Sequence, residues 1–170
     1  MKKVILGATG SIGSSLAKKL VDSGEQVHLV GRDEASLSEL ANELNSTFTT
    51  CDVLEENFSE KIINDLKDEQ VNGLAYCVGS IDLKPLKLTK KSDFMQSFNL
   101  NLVSATEIIK SLADNLKASK GSIVLFSTVA VQQGFPNHAI VSSAKGAVEG
   151  LTLALAAEYA PNIRVNCIAP

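Results

Sequence analysis

Three polar side chains close together near residue 140 could carry acid–base chemistry on one helix. His138 and Lys145 are seven residues apart, so they share one face of a helix that spans both, and Ser142 lies beside them. A histidine titrates near neutral pH and could supply a proton, whereas a lone serine hydroxyl is a poor acid. The other interpretation of His138 is a residue at a helix start that bonds to backbone or to water.

A glycine-rich loop near the N-terminus is the second chemical feature. It lies between a predicted strand and an amphipathic helix and reads Gly7-Ala8-Thr9-Gly10-Ser11-Ile12-Gly13. Glycines in such a loop let the backbone turn tightly and approach a pyrophosphate, whose charge is met by the helix N-terminus. Gly-Ser clusters also form ordinary turns, but the position between strand and helix favours a dinucleotide site.

The residues after the second predicted strand bear on the choice of dinucleotide. An acidic side chain there would hydrogen-bond the ribose hydroxyls, and a basic one would pair with the 2′-phosphate. The chain has Arg32, whose guanidinium is a planar fork suited to a phosphate. We therefore favour NADP (NADPH) over NAD as cofactor. The alternative is a solvated arginine paired with Asp33 or Glu34.

The secondary structure around these features can be predicted from the hydrophobic pattern. Short β-rich runs alternate with helical periodicity along the whole chain. The predicted strands are Lys3–Leu6, Gln26–Val30, Ser46–Thr50, Gly73–Cys77, Ser122–Phe126 and Arg164–Ile168. The predicted helical stripes are Ile12, Leu16 and Leu20; Leu37, Leu40, Ala41 and Leu44; Phe94, Phe98, Ala105, Ile108 and Leu112; and Ala144, Val148, Leu151 and Leu155. The alternation predicts an α/β fold, a doubly wound parallel sheet with its ligand crevice at the carboxyl ends of the strands.

Composition narrows the class of protein. The 170 residues, 45% of them hydrophobic, suit a single domain over residues 1–170. A net charge of −3 and the absence of Trp argue against a nucleic-acid surface, and the apolar runs are too short to cross a bilayer. Cys51, Cys77 and Cys167 show neither metal-ligand spacing nor a pairing framework, which suggests core residues in a reducing compartment. We expect a cytoplasmic protein with no metal site and no nucleic-acid or membrane partner.

The segment around Lys145 resembles the active-site helix of the short-chain dehydrogenases/reductases. The resemblance rests on His138-Ala139-Ile140-Val141-Ser142-Ser143-Ala144-Lys145-Gly146 and continues to Thr152. The family normally shows Tyr-x-x-x-Lys here, and this chain has Val141 in place of the tyrosine. Neither Tyr76 nor Tyr159 has a lysine four residues later. The resemblance covers the whole chain and implies a Rossmann-like NAD(P)-binding domain with strand order 3-2-1-4-5-6.

The resemblance implies a reaction and a set of catalytic residues. Family members transfer hydride between nicotinamide and a carbonyl or alcohol, with tyrosine as general acid/base. The asparagine that supports a proton-relay water corresponds to Asn101, which also lies on an apolar stripe and must find specific partners. The serine that orients the substrate oxygen corresponds to Thr128, with Ser127 as the alternative. The family lysine corresponds to Lys145, which in relatives also bonds the nicotinamide ribose.

The resemblance also implies the cofactor contacts. The family loop reads Thr-Gly-x-x-x-Gly-x-Gly, and its middle glycine is displaced here, so we expect phosphate contact with altered geometry. Asp52 corresponds to a residue that contacts the adenine amine, or else it caps the following turn. Gly79 alone survives of an Asn-Asn-Ala-Gly motif, so the backbone approach is expected without the side-chain hydrogen bonds. The predicted cofactor residues are Gly7, Thr9, Gly10, Ser11, Ile12, Gly13, Arg32, Asp52, Gly79 and Lys145.

Two functions remain open for this chain. The first is an NADP-dependent oxidoreductase whose proton donor is His138 or a water held by Lys145 and Thr128. The second is a catalytically silent NADP-binding or redox-sensing partner protein, which the valine at position 141 favours. The family usually continues beyond Pro170 with a further strand and a substrate lid; we expect these to be absent from this chain, and a fragment without its own function is a third interpretation. By analogy we expect a homodimer or homotetramer and a small-molecule carbonyl or alcohol substrate.

Overall fold

The computed structural model describes all of residues 1–170 and shows one six-stranded sheet. Every neighbouring pair of strands is parallel, and the strand order is 3-2-1-4-5-6. The strands are β1 Lys2–Leu6, β2 Gln26–Gly31, β3 Thr47–Thr50, β4 Val71–Tyr76, β5 Ser122–Phe126 and β6 Arg164–Ile168. All six predicted strands are present, and the predicted doubly wound fold is confirmed.

Helices connect the strands and cover both faces of the sheet. They are α1 Ser11–Asp22, α2 Glu34–Glu43, α3 Phe58–Leu66, α4 Lys91–Phe98, α5 Ser104–Ala118, α6 Ala130–Gln133 and α7 Ala139–Tyr159. Helix α3 was not among the predicted stripes, although Phe58, Ile62 and Leu66 recur at every fourth position and are all buried. Two apolar cores, one on each face, result from this arrangement.

Helix α1 packs differently from its predicted stripe. Gly13 and Ala17 are its buried residues, whereas Leu16 is only partly buried. Ile12 is 43% exposed, so its place in the predicted core stripe was wrong. The small residues let the helix axis approach the loop after β1 closely, which leaves no room for larger side chains on that face. Close packing here brings the N-terminus of α1 toward the ligand crevice.

The predicted long helix is interrupted at the functional site. It consists of α4, a π-turn at Asn99–Val103 and α5. In the π-turn the N–H of Ser104 bonds to the carbonyl of Asn99, five residues back, instead of the carbonyl of Leu100. Such π-turns are rare and occur often at functional sites.

Helix α7 is the one helix long and apolar enough to cross a membrane by length and composition. One third of its apolar window is buried inside the protein, and the helix packs on β5 and β6. A core helix commonly passes the same test, so this is weak evidence for a membrane segment. The helix positions Val141 and Lys145 over the carboxyl end of β5.

Candidate functional site

Two adjoining cavities lie at the carboxyl ends of the parallel strands. The first has a volume of about 370 Å³ and follows the ends of β1, β2 and β3; we call it the cofactor cavity. The second has a volume of about 300 Å³ and lies between the end of β5 and α7; we call it the substrate cavity. Both are lined by the segment Cys77–Ser80 after β4, so they meet there. The sheet therefore places its crevice where open parallel sheets bind ligands.

The glycine-rich loop is shaped by contacts that only glycine permits. Gly7 has a φ of +73°, and a Cβ there would lie 2.9 Å from the Cys77 carbonyl oxygen. A Cβ on Gly13 would lie 2.2 Å from the carbonyl oxygen of Gly7, because α1 packs directly on the loop. Gly10 forms the N-cap of α1 without a side-chain hydrogen bond, and the first turn carries no acidic residue. The loop and the helix start can therefore offer free N–H groups to an anion.

The loop residues divide between the two cavities. Gly7, Thr9 and Gly10 line the cofactor cavity. Ile12 lines the substrate cavity instead. Ser11 is the first residue of α1, in the place where the family has its middle glycine, and it is exposed. Its hydroxyl adds a hydrogen-bonding group to a position where the family motif has none.

Arg32 and Asp52 form an ion pair at the rim of the cofactor cavity. Their closest atoms are 3.6 Å apart, and the arginine side chain is 75% exposed. The other Asp52 oxygen accepts a hydrogen bond from the Leu54 N–H at 3.0 Å, so the turn-capping role is present too. The proposed pairing of Arg32 with Asp33 is wrong, because Asp33 caps α2 through the N–H of Ser36. Arg32 could reach a phosphate only by sharing or leaving its carboxylate partner.

Asn101 is held in the π-turn with its amide oxygen unpaired. The side chain is 1% exposed, and its Nδ2 donates to the Ser97 carbonyl at 2.9 Å. Its Oδ1 is buried and has no partner within the protein. A Cβ placed on Gly79 would lie 3.0 Å from this oxygen. A buried carbonyl oxygen without a partner is costly, and it marks the place where a ligand or a water would bind.

Lys145 reaches the same point from α7. A Cβ on Gly79 would lie 3.1 Å from its Nζ, and that Nζ donates to the Phe126 carbonyl at 2.9 Å. Burial lowers the pKa of the Lys145 ammonium below the usual range for lysine. One of its three protons is used by Phe126, so the other two remain for ligands. The surface interpretation of this lysine is therefore excluded, and its ammonium and Asn101 Oδ1 both face Gly79.

Thr128 and Ser127 follow β5, and only one of them has its hydroxyl free for the cavity. Ser127 is buried, and its hydroxyl donates to the Glu149 carboxylate on α7 at 2.5 Å. Thr128 lines the substrate cavity, where its Oγ1 accepts only a long bond from the Ala130 N–H at 3.3 Å. The threonine therefore keeps a proton to donate to a substrate oxygen. Of the two hydroxyls, that of Thr128 is the one left open toward the cavity.

Val141 and His138 line the substrate cavity from the start of α7. Val141 is 3% exposed and presents only methyl groups. His138 precedes the helix as its N-cap, and its Nδ1 donates to the Pro136 carbonyl at 2.8 Å. This is the backbone-bonded helix-start histidine that was one of the two interpretations, although its ring also borders the cavity. Ser142 donates to the Ala130 carbonyl at 3.2 Å and takes no part in the cavity.

Two further residues at the site were missed by sequence reasoning. Cys77 lines both cavities, and burial raises the pKa of its thiol to about 12, so it stays protonated. Tyr76 is buried and donates its phenol proton to the Leu100 carbonyl at 2.7 Å. Tyr76 thus makes a side-chain hydrogen bond of its own at the position of a family asparagine. Only the position of Tyr76 in a family asparagine's place could have drawn attention to it.

This fold, with a glycine-rich loop between β1 and α1 and with Lys145 and Asn101 both facing Gly79, is a Rossmann-like fold. A family model described as enoyl-(acyl carrier protein) reductase matches residues 7–170. The chain belongs to the short-chain dehydrogenase/reductase family, whose members are NAD(P)-dependent oxidoreductases, and the predicted family is confirmed.

Individual relatives carry dehydrogenase and reductase names. L-fucose dehydrogenase of Oryctolagus cuniculus is 33% identical over 172 residues, which cover 98% of this chain and 61% of the relative. L-xylulose reductase of Bos taurus is 31% identical over 175 residues, which cover 99% of this chain and 70% of the relative. A tropinone reductase homolog of Arabidopsis thaliana is 34% identical over 180 residues, which cover 100% of this chain and 69% of the relative. The chain thus spans about two thirds of the length of these relatives.

Solved structures give the same result for the fold. A short chain dehydrogenase/reductase family protein superposes with a TM-score of 0.93 at 25% identity, covering 100% of this chain and 73% of that one. The KRED1-Pglu enzyme shares the fold with a TM-score of 0.95 at 21% identity, and the match covers 99% of this chain and 73% of that one.

Proposed function

We propose that this protein is an NADP-dependent oxidoreductase that interconverts a small-molecule carbonyl and alcohol. The observation that carries the proposal is the meeting of the two cavities at Gly79. There the Lys145 ammonium lies 3.1 Å from the position that a Cβ on Gly79 would take, and the unpaired Asn101 oxygen lies 3.0 Å from it. A cofactor cavity that opens onto a proton-handling pair is the arrangement that hydride transfer to a carbonyl requires.

The residues of the cofactor cavity fit a dinucleotide. Gly7 and Gly13 let the loop pack closely on α1, and the uncapped start of this helix offers N–H groups that suit a pyrophosphate. Arg32 would pair with the 2′-phosphate, Asp52 would accept from the adenine amine, and Lys145 would bond the nicotinamide ribose. NADPH supplies the hydride when it is bound. Ser11, exposed at the first turn of α1, would give the phosphates a hydroxyl donor.

Lys145 is the first candidate for the proton source. Its pKa is lowered by burial, so the ammonium gives up a proton more readily than a surface lysine. Val141 is smaller than the tyrosine that the family has at this position, so a water could occupy the space of the phenol. Such a water would be close to Lys145 and Thr128, which line the same cavity. Thr128 would hold the substrate oxygen while Lys145 passes its proton through this water. Asn101 Oδ1 would accept from the water that restores the proton.

His138 is the second candidate, since it borders the same cavity. With Nδ1–H bonded to Pro136, its neutral form has only a lone pair on Nε2. It would therefore have to be protonated to act as an acid. A His138 donor predicts that His138→Gln abolishes carbonyl reduction, whereas a Lys145 donor predicts that the reduction is retained in this variant.

The alternative function is an NADP-binding or redox-sensing protein without turnover, and Val141 is the observation that favours it. An alkyl side chain cannot donate a proton, and general acid catalysis contributes about 10²- to 10⁴-fold. In either function we propose a homodimer or homotetramer in the cytoplasm. The sugar substrates named in two relatives, L-fucose and L-xylulose, are first choices for a substrate panel.

Calorimetric titration with NADPH and with NADH tests the proposal first, followed by NADPH oxidation with a panel of sugars and ketones. Tight NADPH binding with turnover supports the oxidoreductase. NADPH binding without turnover on any carbonyl supports the silent protein. Binding of neither nucleotide contradicts both functions for this chain, and preference for NADH contradicts the role of Arg32.

A further inference from the structure

We propose that Tyr76 is a positioning residue that keeps the π-turn in register and thereby directs the Asn101 oxygen toward Lys145. The proposal rests on the proposed function where it concerns turnover, while its structural part is independent of turnover. It begins with the exchange of hydrogen bonds in the helix that carries Asn101.

The π-turn contains a backbone hydrogen bond at Ser104 that is displaced by one residue from the α-helical pattern. In a regular α-helix the N–H of Ser104 would bond to the Leu100 carbonyl, four residues back. Here that N–H bonds to the Asn99 carbonyl. The phenol of Tyr76 donates to the Leu100 carbonyl at 2.7 Å and takes the place of the lost N–H. The Leu100 carbonyl has lost the Ser104 N–H as its hydrogen-bond donor, and the Tyr76 phenol replaces that donor.

Asn101 lies within this turn, and its orientation depends on the turn. A return of Ser104 to α-helical bonding would rotate Asn101 relative to α5 and move its oxygen away from Gly79. Asn101 Nδ2 is already committed to the Ser97 carbonyl, so the unpaired Oδ1 is the group that the turn directs into the site. The stability of the π register therefore decides whether the oxygen is available there.

Tyr76 is also tied to the other side of the same site. It is the last residue of β4, and Gly79 follows three residues later. The phenol therefore joins the strand end that leads to Gly79 with the helix that carries Asn101. Burial raises the pKa of Tyr76, so its phenol keeps the proton that this bond needs. Tyr76 lines neither cavity and acts on the reaction only through Asn101.

Tyr76→Phe is the variant that tests this role, because it removes the hydroxyl and keeps the packed ring. Tyr159→Phe, at the other tyrosine of the chain, makes the same chemical change away from the site. We expect Tyr76→Phe to lower kcat about ten-fold, since small misplacements of catalytic groups cost ten- to hundred-fold. The KM for the carbonyl and the NADPH affinity should stay within about two-fold. Tyr159→Phe should leave all three unchanged.

A double variant and a spectroscopic measurement make the result specific. Tyr76→Phe in an Asn101→Ala background should cause no further loss of kcat, because the tyrosine acts through the asparagine. In ¹⁵N–¹H spectra the Asn101 side-chain amide should shift in Tyr76→Phe and not in Tyr159→Phe. An equal loss in both backgrounds, an unchanged kcat, or an NADPH affinity that falls with kcat would overturn the proposal.

The same spectra separate this proposal from the proposed function. If the wild-type protein turns over no carbonyl, the oxidoreductase function fails, but the Asn101 amide still reports on Tyr76. A shift then supports the positioning role in a binding protein. An unshifted Asn101 amide contradicts it whether or not the protein is an enzyme.

Discussion

The cofactor cavity and the substrate cavity are built by different parts of the polypeptide. At the cofactor cavity, the family geometry depends on backbone: Gly7 and Gly13 are required because a Cβ would meet main-chain atoms. At the substrate cavity, the corresponding family positions are side chains, and here they read Thr128 and Val141. Backbone contacts leave no room for substitution, whereas side chains that only contact a ligand can change without loss of the fold. The two cavities therefore differ in how far the chain has departed from its family.

Gly13→Ala is the most direct way to break this comparison on the cofactor side. The added Cβ would lie 2.2 Å from the Gly7 carbonyl oxygen, so the loop or α1 must move. We expect NADPH binding to fall below detection by calorimetry, with a lower melting temperature. Gly150→Ala is the matched control, because a Cβ there meets nothing within 4 Å. Retained NADPH affinity in Gly13→Ala would contradict the role of the loop.

Val141→Tyr tests the substrate side by restoring the family's proton donor. The new ring would extend into the substrate cavity beside Lys145, and we expect kcat for carbonyl reduction to rise about 100-fold, within the usual range of general acid catalysis. Val141→Phe adds the same ring without the hydroxyl. It should give no increase, and an equal gain from both variants would assign the effect to packing.

We expect acid to destabilise strands β2 and β3, beside the cofactor cavity, because His28 is buried there. His28 on β2 bonds through Nδ1 to Thr47 and through Nε2 to Thr49 on the edge strand β3, and Thr49 donates to Asp65. Burial first, then the charge of Lys2, lowers the pKa of His28 from 6.5 to about 4. The unfolded chain therefore binds this proton more readily than the folded one. The stabilisation is complete above pH 6.5 and is lost as the pH falls toward 4, by about 3 kcal/mol.

Urea unfolding between pH 7.5 and pH 4, in steps of roughly half a unit, measures this loss. His28→Gln should flatten the decline in unfolding free energy between about pH 6.5 and pH 4. His138→Gln, at the chain's other histidine, should leave the slope of the wild type. Equal slopes in wild type and His28→Gln would show that carboxylates alone cause the acid sensitivity.

Arg32→Ala has the smallest expected effect, because this side chain is exposed and already shares Asp52. We expect the Kd for NADPH to rise about ten-fold, as for the loss of one solvent-screened charged hydrogen bond, while the Kd for NADH is unchanged. Arg164→Ala on β6 is the control. Calorimetry at two salt concentrations should show a weaker salt dependence in Arg32→Ala; an equal effect on both nucleotides would remove Arg32 from the choice of cofactor.

Much of the fold was predictable because strand and helix patterns are local. Short β-rich runs marked all six strands, and the glycine loop was recognisable by its place between β1 and α1. Helix α3 was overlooked although Phe58, Ile62 and Leu66 carry a regular spacing. The π-turn was not predictable, since Asn99–Val103 has the composition of an ordinary helix and its register depends on a phenol from β4. Likewise, nothing local showed that Ser127 would donate to Glu149 and leave Thr128 free.

The class of fold, the family, and the absence of a phenol four residues before Lys145 could all be read from the amino-acid sequence. These follow from residue type and short-range spacing, which do not depend on the path of the rest of the chain. Only the tertiary structure decided that Asn101 Oδ1 is unpaired and meets Lys145 at Gly79. It also decided that Asp52 pairs with Arg32 and that Tyr76 supports the π-turn. Each of these arrangements involves residues that are distant in the sequence, so each depends on how the parallel sheet brings separate segments to one edge.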